Sequence, residues 1–256
     1  LWKFDLSGAT SSTWVLGLSG AALFQTQSGQ PITAGLALGR DPATGKRWIF
    51  VGTGSFLSTG DSSDNTVQSM YGLIDDGGTT AVQLSDLVQR NIVVVGTVNG
   101  KPIRAFEAHS TMDATKKGWY VNLDNPTAGE RVVSNPRVKG AALIVASIIP
   151  PSTNTCDAGG TGYINAIDAF TGTSLTEPYF DANGDGKVDA SDQVTDANGN
   201  PLPVGSIDLG VGMPTLPTVI DKLLVVGGSK GNLGSVRVNP QGGSNQRISW
   251  HEILRD

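Results

Sequence analysis

At 256 residues the chain can bury one large core or two smaller ones, and its formal net charge of −5, with no Lys/Arg cluster able to follow a phosphate backbone, argues against a nucleic-acid partner. Thirty-four glycines and thirteen prolines against three methionines point to many short elements with frequent turns. The longest apolar run, Ala141 to Ile149, is too short to cross a bilayer as a helix.

The chain opens Leu1-Trp2-Lys3-Phe4-Asp5 without an initiator Met or a signal peptide, which reads as a processed or excised portion. Leu1 to Leu6 alternates apolar and polar side chains as the last part of a strand does, and Trp14 to Phe24 is apolar but broken by glycine, so strand and helix both stay open there. Ile32 to Gly39, the turn Asp41 to Lys46, and Arg47 to Gly54 read as strand, turn, strand. Gln68 to Ile74 is another strand, and Leu84 to Gln89 a short helical turn. Asn91 to Gly96 and Pro102 to Phe106 form a hairpin across Asn99-Gly100, a pair that accepts the positive φ of a tight turn. Gly118 to Leu123 is the next strand.

A clearer unit begins at Gly129 to Val138, turns at Lys139-Gly140, continues through Leu143 to Ile149 and, after a polar loop holding Cys156, ends at Gly162 to Asp168. The same order returns in Met213 to Ile220, the Asp221-Lys222 turn, Leu223 to Gly228, and Ser235 to Asn239. Without the segment between them the copies are spaced by roughly one four-stranded propeller blade. The pattern therefore predicts an all-β chain, residues 1–256, forming a β-propeller portion of four or more complete or partial blades, with an insertion at about 173–205. Strands this apolar need cover on both faces, which radially packed blades supply.

The insertion carries the strongest motif. Residues 181–192, Asp-Ala-Asn-Gly-Asp-Gly-Lys-Val-Asp-Ala-Ser-Asp, place oxygen-bearing side chains at positions 1, 3, 5, 9 and 12 of a twelve-residue loop with glycine at position 6. Calcium takes six to eight hard oxygen ligands, and here Asp181, Asn183, Asp185, the main-chain carbonyl of Lys187, and Asp189 would supply them, with Asp192 closing the shell. Four carboxylates in so short a loop repel one another unless a cation neutralises them. No long helix fits on either side, so the loop reads as a calcium clip that stiffens an insertion rather than a sensor that opens a helix pair.

Several segments resemble the PilC/PilY family of type IV pilus tip-associated proteins. They are Ile49 to Leu57 with Gln68 to Asp75, Gly118 to Leu123 with Gly129 to Val133, Pro150 to Cys156 with Gly159-Gly160, Asp168 to Gly172, the calcium loop, and Arg247 to Glu252. They run in family order from about residue 47 to the C-terminus. The resemblance implies the C-terminal half of a modified β-propeller domain, as one part of a divided propeller or with a companion chain carrying the remaining blades. It further implies a Gram-negative protein secreted to the cell surface, pilus tip and outer membrane. There it would meet minor pilins and a host or abiotic surface, and support pilus assembly against retraction, twitching motility, adhesion and virulence. The family's calcium ligands carry over to Asp181, Asn183, Asp185, Lys187 and Asp189, whereas Asp192 rests on spacing alone.

Two other classes compete. A quinone-cofactor dehydrogenase also holds calcium in a propeller, but the single Cys156 excludes a vicinal cysteine pair, and the calcium donors lie in one contiguous loop. His109 and His251 read as surface or structural residues, Trp119, Tyr120, Tyr163 and Trp250 as packing, and Cys156, in an acidic setting, as a thiol without catalytic function. A calcium-dependent docking module would need a second loop-helix copy, and Asp196 to Pro201 starts one that breaks off. The chain is therefore expected not to be an enzyme.

Overall fold

A computed structural model describes residues 1–78, 80–151 and 159–240. Cys156 and the ending Arg247 to Glu252, with Trp250 and His251, lie outside the described residues. The first part of the chain forms strands β1 (Phe4–Asp5), β2 (Val15–Leu16), β3 (Ala37–Arg40), β4 (Arg47–Gly52) and β5 (Ser69–Asp75). Next come β6 (Val88–Arg90), β7 (Ile92–Val98), β8 (Lys101–Phe106), β9 (Gly118–Asn122), β10 (Arg137–Lys139), β11 (Ala142–Ile149) and β12 (Thr161–Asp168). The last part holds β13 (Gln193–Thr195), β14 (Pro201–Pro203), β15 (Ser206–Ile207), β16 (Thr218–Ile220), β17 (Leu223–Gly227) and β18 (Leu233–Arg237), and helix among the described residues is limited to short 3-10 turns.

The strands assemble into a five-stranded sheet β3-β4-β5-β9-β6, a six-stranded sheet β10-β11-β12-β15-β8-β7, a three-stranded sheet β16-β17-β18, and the ribbons β1-β2 and β13-β14. The β7–β8 hairpin turns at Asn99-Gly100, both with positive φ (48° and 73°), as the sequence requires. The internal repeat is present in both copies. β10-β11-β12 and β16-β17-β18 are antiparallel meanders, and in each the residues preceding the first strand bridge the far end of the middle one, at Arg131–Ile148 and Pro214–Gly228. Two details differ from expectation. Lys139 pairs with Ala142, so the first copy turns at Gly140-Ala141 rather than Lys139-Gly140. Four separate blades are not seen among the described residues, because β15 pairs with both β12 and β8 and so joins the β7–β8 hairpin to the first meander in one wide sheet.

Side-chain alternation explains how the three large sheets stack. On β4 and β5, Trp48, Phe50, Met70 and Ile74 face one way, while Val51, Tyr71 and Leu73 face the other and meet Leu23, Phe24, Val82 and Leu87. On β11 and β12, Leu143, Val145 and Ile167 join the Trp48 cluster, whereas Ala142, Ile144, Ala146, Ile164 and Ala166 pack with Leu224, Val226 and Val236 of the three-stranded sheet. The six-stranded sheet is thus apolar on both faces and lies between the other two. Trp119, fully buried on β9, ties this seam by donating its Nε1–H to the carbonyl of Ala169 at 2.9 Å, and Gly72 makes room for it, since a Cβ there would lie 2.5 Å from the indole. Burying an aromatic of this size is worth roughly 4–6 kcal/mol before entropy is counted.

The insertion spans the next seam. Before the loop, Phe180 bridges Val238, and the amide of Asp181 donates to the Arg237 carbonyl at 2.9 Å, which lays residues 179–181 along β18. After it, the β13–β14 hairpin leads into β15 within the six-stranded sheet.

Candidate metal centre

The twelve-residue loop folds by local hydrogen bonds that its own sequence dictates. Asp181, buried, accepts the amides of Gly184 and Gly186 at 2.7 and 2.9 Å, one on each carboxylate oxygen. Asp192, also buried, closes the other end: its Oδ1 accepts the amides of Ala182 and Asn183 at 2.8 and 3.2 Å, and its Oδ2 that of Asp189 at 3.0 Å. Between these two acids, Asn183, Asp185 and Asp189 each turn the chain by accepting the amide two residues on, at 2.8, 2.8 and 2.9 Å. Gly186 takes φ 88° with open space around it, the turn that position 6 of such a loop needs. Hydrogen bonds from the Ser191 hydroxyl and amide hold the exposed Asp189 carboxyl below its usual range, with Lys187 adding to the effect.

The donor chemistry suits a hard cation. Asp185, Lys187 and Asp189 are exposed, Asn183 half-buried, and every proposed donor is an oxygen. The described residues contain no group of three or more His, Cys, Asp or Glu side chains already gathered around one point. Two of the six proposed donors, the Asn183 amide oxygen and the Lys187 carbonyl, are not among those residue types, and the acids are engaged with loop amides. Asn99, in the β7–β8 turn, donates to the Asn183 carbonyl at 2.9 Å and so props the loop against the six-stranded sheet. No helix pair flanks the loop: residues Ala190–Asp192 form a 3-10 turn and β13–β14 a hairpin, which removes the docking-module reading.

A second polar centre was not legible in advance. Arg104 on β8 and Glu130 are both fully buried and form a two-pronged ion pair at 2.6 and 2.9 Å. Arg104 also donates to Asn165 Oδ1 at 2.8 Å and to the Asn125 carbonyl at 3.0 Å, and its guanidinium lies 3.8 Å from the centre of the Tyr163 ring. Ser147 donates to Glu130 at 2.5 Å, Ser206 to Asn165 at 2.7 Å, and Asn165 to Ser147 at 3.0 Å. This row crosses β8, β15, β12 and β11. The only hint in the sequence is a lone Arg amid the apolar run of β8. Arg131, next to Glu130 in the chain, donates to the carbonyls of Ser55, Asp61 and Asp64 and so pins the loop after β4.

The remaining sequence candidates fall into structural roles. Tyr120 stacks on Tyr71. His109 Nδ1 lies 3.9 Å from Asp168 Oδ2, beside two matching Asp-x-x-Thr-Gly turns, residues 41–45 and 168–172. In each turn the glycine amide bonds the Asp carbonyl, at 2.7 and 2.9 Å, and the glycine takes φ of 70° or 71°. Burial pushes the Asp168 carboxyl above the usual range, against the amides of Phe170 and Thr171 and the nearby imidazole.

The comparisons agree with this architecture. A Type IV pilus biogenesis factor PilY1 homolog of Xylella fastidiosa is 35% identical over 262 residues, covering 100% of this chain and 20% of its own length. The chain belongs to the PilY1 family. A second such homolog from the same organism is 25% identical over 85% of this chain, and PilY1 of Pseudomonas aeruginosa is 25% identical over 78% of it. The chain spans between 16% and 21% of the length of these relatives. The crystal structure of the Pseudomonas aeruginosa PilY1 C-terminal domain superposes with a TM-score of 0.75 at 21% identity, over 94% of this chain and 55% of that one, and so shares its fold. No family model matches the chain. No helix among the described residues is long and apolar enough to cross a membrane.

Proposed function

We propose that this chain is a calcium-binding portion of a modified β-propeller in a PilY1-type protein, working at the cell surface and pilus tip of a Gram-negative bacterium. It supports pilus assembly against retraction, twitching motility and attachment to host or abiotic surfaces. Minor pilins are its partners, and a companion portion of the propeller completes the blades. The observation that carries the reading is the loop 181–192, whose backbone is already drawn into a coil by Asp181 and Asp192 in a chain of this family.

Asp181, Asn183, Asp185, the Lys187 carbonyl and Asp189 would hold the ion, with Asp192 closing the shell where it already clasps the two ends of the loop. The ion would supply two positive charges to a loop bearing four carboxylates and one ammonium. With calcium near 100 times its dissociation constant, and none bound by the unfolded chain, binding stabilises the fold by about 2.7 kcal/mol. Calorimetry on the wild type and Asp185→Ala tests the site. The wild type is expected to bind one ion and the variant none with comparable affinity; equal affinities would remove the assignment. Cells carrying the variant are expected to lose normal twitching, and unchanged motility would separate calcium binding from the chain's role in twitching.

A further inference from the structure

Next to the metal loop lies a small cleft lined by Gly186, Lys187, Val188, Lys222, Arg237 and Asn239. Its cations come from three places in the chain. Lys187 is position 7 of the loop, Lys222 sits in the β16–β17 turn, and Arg237 ends β18 with its side chain on the outer face, opposite buried Val236 and Val238. The ladder fixes their spacing: Leu223 pairs with Arg237, and the amide of Val238 donates to the Lys222 carbonyl at 2.8 Å. All three are exposed, and among the described residues none has a carboxylate within ion-pair distance. Three unpaired cations in one cleft, in a protein of net charge −5, form a concentrated positive spot on an acidic background.

We propose that this cleft binds a compact oxyanion, a carboxylate or a sulfate-like group, and that calcium in the adjoining loop strengthens that binding. An Arg fork with two flanking ammonium groups is the donor set that such groups take, since the guanidinium donates two N–H bonds at a time to the oxygens of a planar or tetrahedral oxyanion and the lysines add point charges. The calcium half of the inference rests on the metal-site reading above. Lys187 belongs to both sites, since its carbonyl is a proposed calcium donor and the residue lines the cleft. In the calcium-free loop, Asp185 and Asp189 compete electrostatically with an incoming anion. A bound dication offsets them and fixes the backbone of Gly186 to Val188, so each ligand favours the other, and the linkage is reciprocal.

The test follows the amide resonances of Gly186, Val188 and Asn239 while sodium sulfate or sodium acetate is titrated in, at constant ionic strength, with and without calcium. The wild type is expected to show saturable shifts, at least about fivefold tighter with calcium. Shifts should be lost in Lys222→Gln/Arg237→Gln, whose changes are exposed. Preference for sulfate marks a tetrahedral ligand and preference for acetate a carboxylate. No saturable shift with either salt, or equal shifts in the double variant, overturns the cleft. Calcium calorimetry on the same samples separates the two readings. Calcium binding without any effect on anion affinity overturns the coupling alone. Failure of the wild type to bind calcium overturns the metal-site reading, and the calcium-free titration then judges the cleft.

Discussion

Two polar constellations in this chain are built in opposite ways. The loop 181–192 draws most of its hydrogen bonds from twelve consecutive residues and sits mostly exposed; Asp181, Asn183, Asp185 and Asp189 each accept amides two to five positions on, and Asp192 reaches back to Ala182 and Asn183. The Arg104–Glu130 centre gathers Arg104, Glu130, Ser147, Asn165 and Ser206 from distant parts of the chain into a buried site. The first stabilises by local geometry and carries four carboxylates against one ammonium. The second carries its own counter-charge, and its cost of desolvation is offset only while every partner is present. Removing one member should therefore hurt the buried centre far more than the loop.

Glu130→Ala gives the largest expected effect. It leaves the Arg104 guanidinium buried without its carboxylate and takes the acceptor from Ser147 as well, a loss of about 3–5 kcal/mol. For a chain of this size that lowers Tm by roughly 10 °C. Urea unfolding of the variant is the check; a loss below about 1 kcal/mol would mean that the two centres do not differ in the way argued.

The contrast also marks what could be read from the residues. The loop was legible because its spacing is local, and the β7–β8 hairpin because Asn99-Gly100 allows few other conformations. The two meanders were legible because their turns and apolar runs repeat. The buried centre was not, because nothing in a sequence pairs Arg104 with Glu130 until β8, β15, β12 and β11 lie side by side. The wide sheet was missed for the same reason: β15 has only two residues, and their pairing with both β12 and β8 is wholly tertiary.

Within the loop, Asp192 and Asp185 refine the comparison. Asp192 is buried and serves three amides, so Asp192→Ala is expected to cost about 2 kcal/mol in calcium-free protein by leaving those donors without an acceptor. Asp185 is exposed and serves one amide, so Asp185→Ala should cost less than about 0.5 kcal/mol there. If the loop takes calcium as proposed, an ion concentration near 100 times its dissociation constant should close or reverse the gap, because Asp185→Ala then also forfeits about 2.7 kcal/mol of stabilisation by the ion. Thermal scans with and without calcium measure both numbers; equal losses in its absence would show that Asp192 does not clasp the loop.

The smallest effect concerns a buried acid that lacks a full counter-charge. Asp168 repeats the turn of Asp41, but burial raises its carboxyl pKa, whereas Glu130 faces an Arg at contact distance. An acid whose folded pKa lies above the unfolded one adds stability that is complete below the unfolded value, near 3.9, and is lost as pH rises through the folded value. At pH 7 the charged Asp168 is thus a liability. Asp168→Asn keeps an oxygen for the amides of Phe170 and Thr171, at 2.9 and 3.0 Å, and removes the charge. The variant should be more stable than its parent by about 0.5 kcal/mol at pH 7, a size typical of substitutions that break no network. The gain should shrink as pH falls toward 4 and the parent takes up its proton. Because the His109 imidazole lies 3.9 Å from this carboxyl, parent and variant are both compared in a His109→Gln background. A difference that stays constant from pH 7 to 4, or that favours the aspartate at neutral pH, would show that the turn amides outweigh burial at this site.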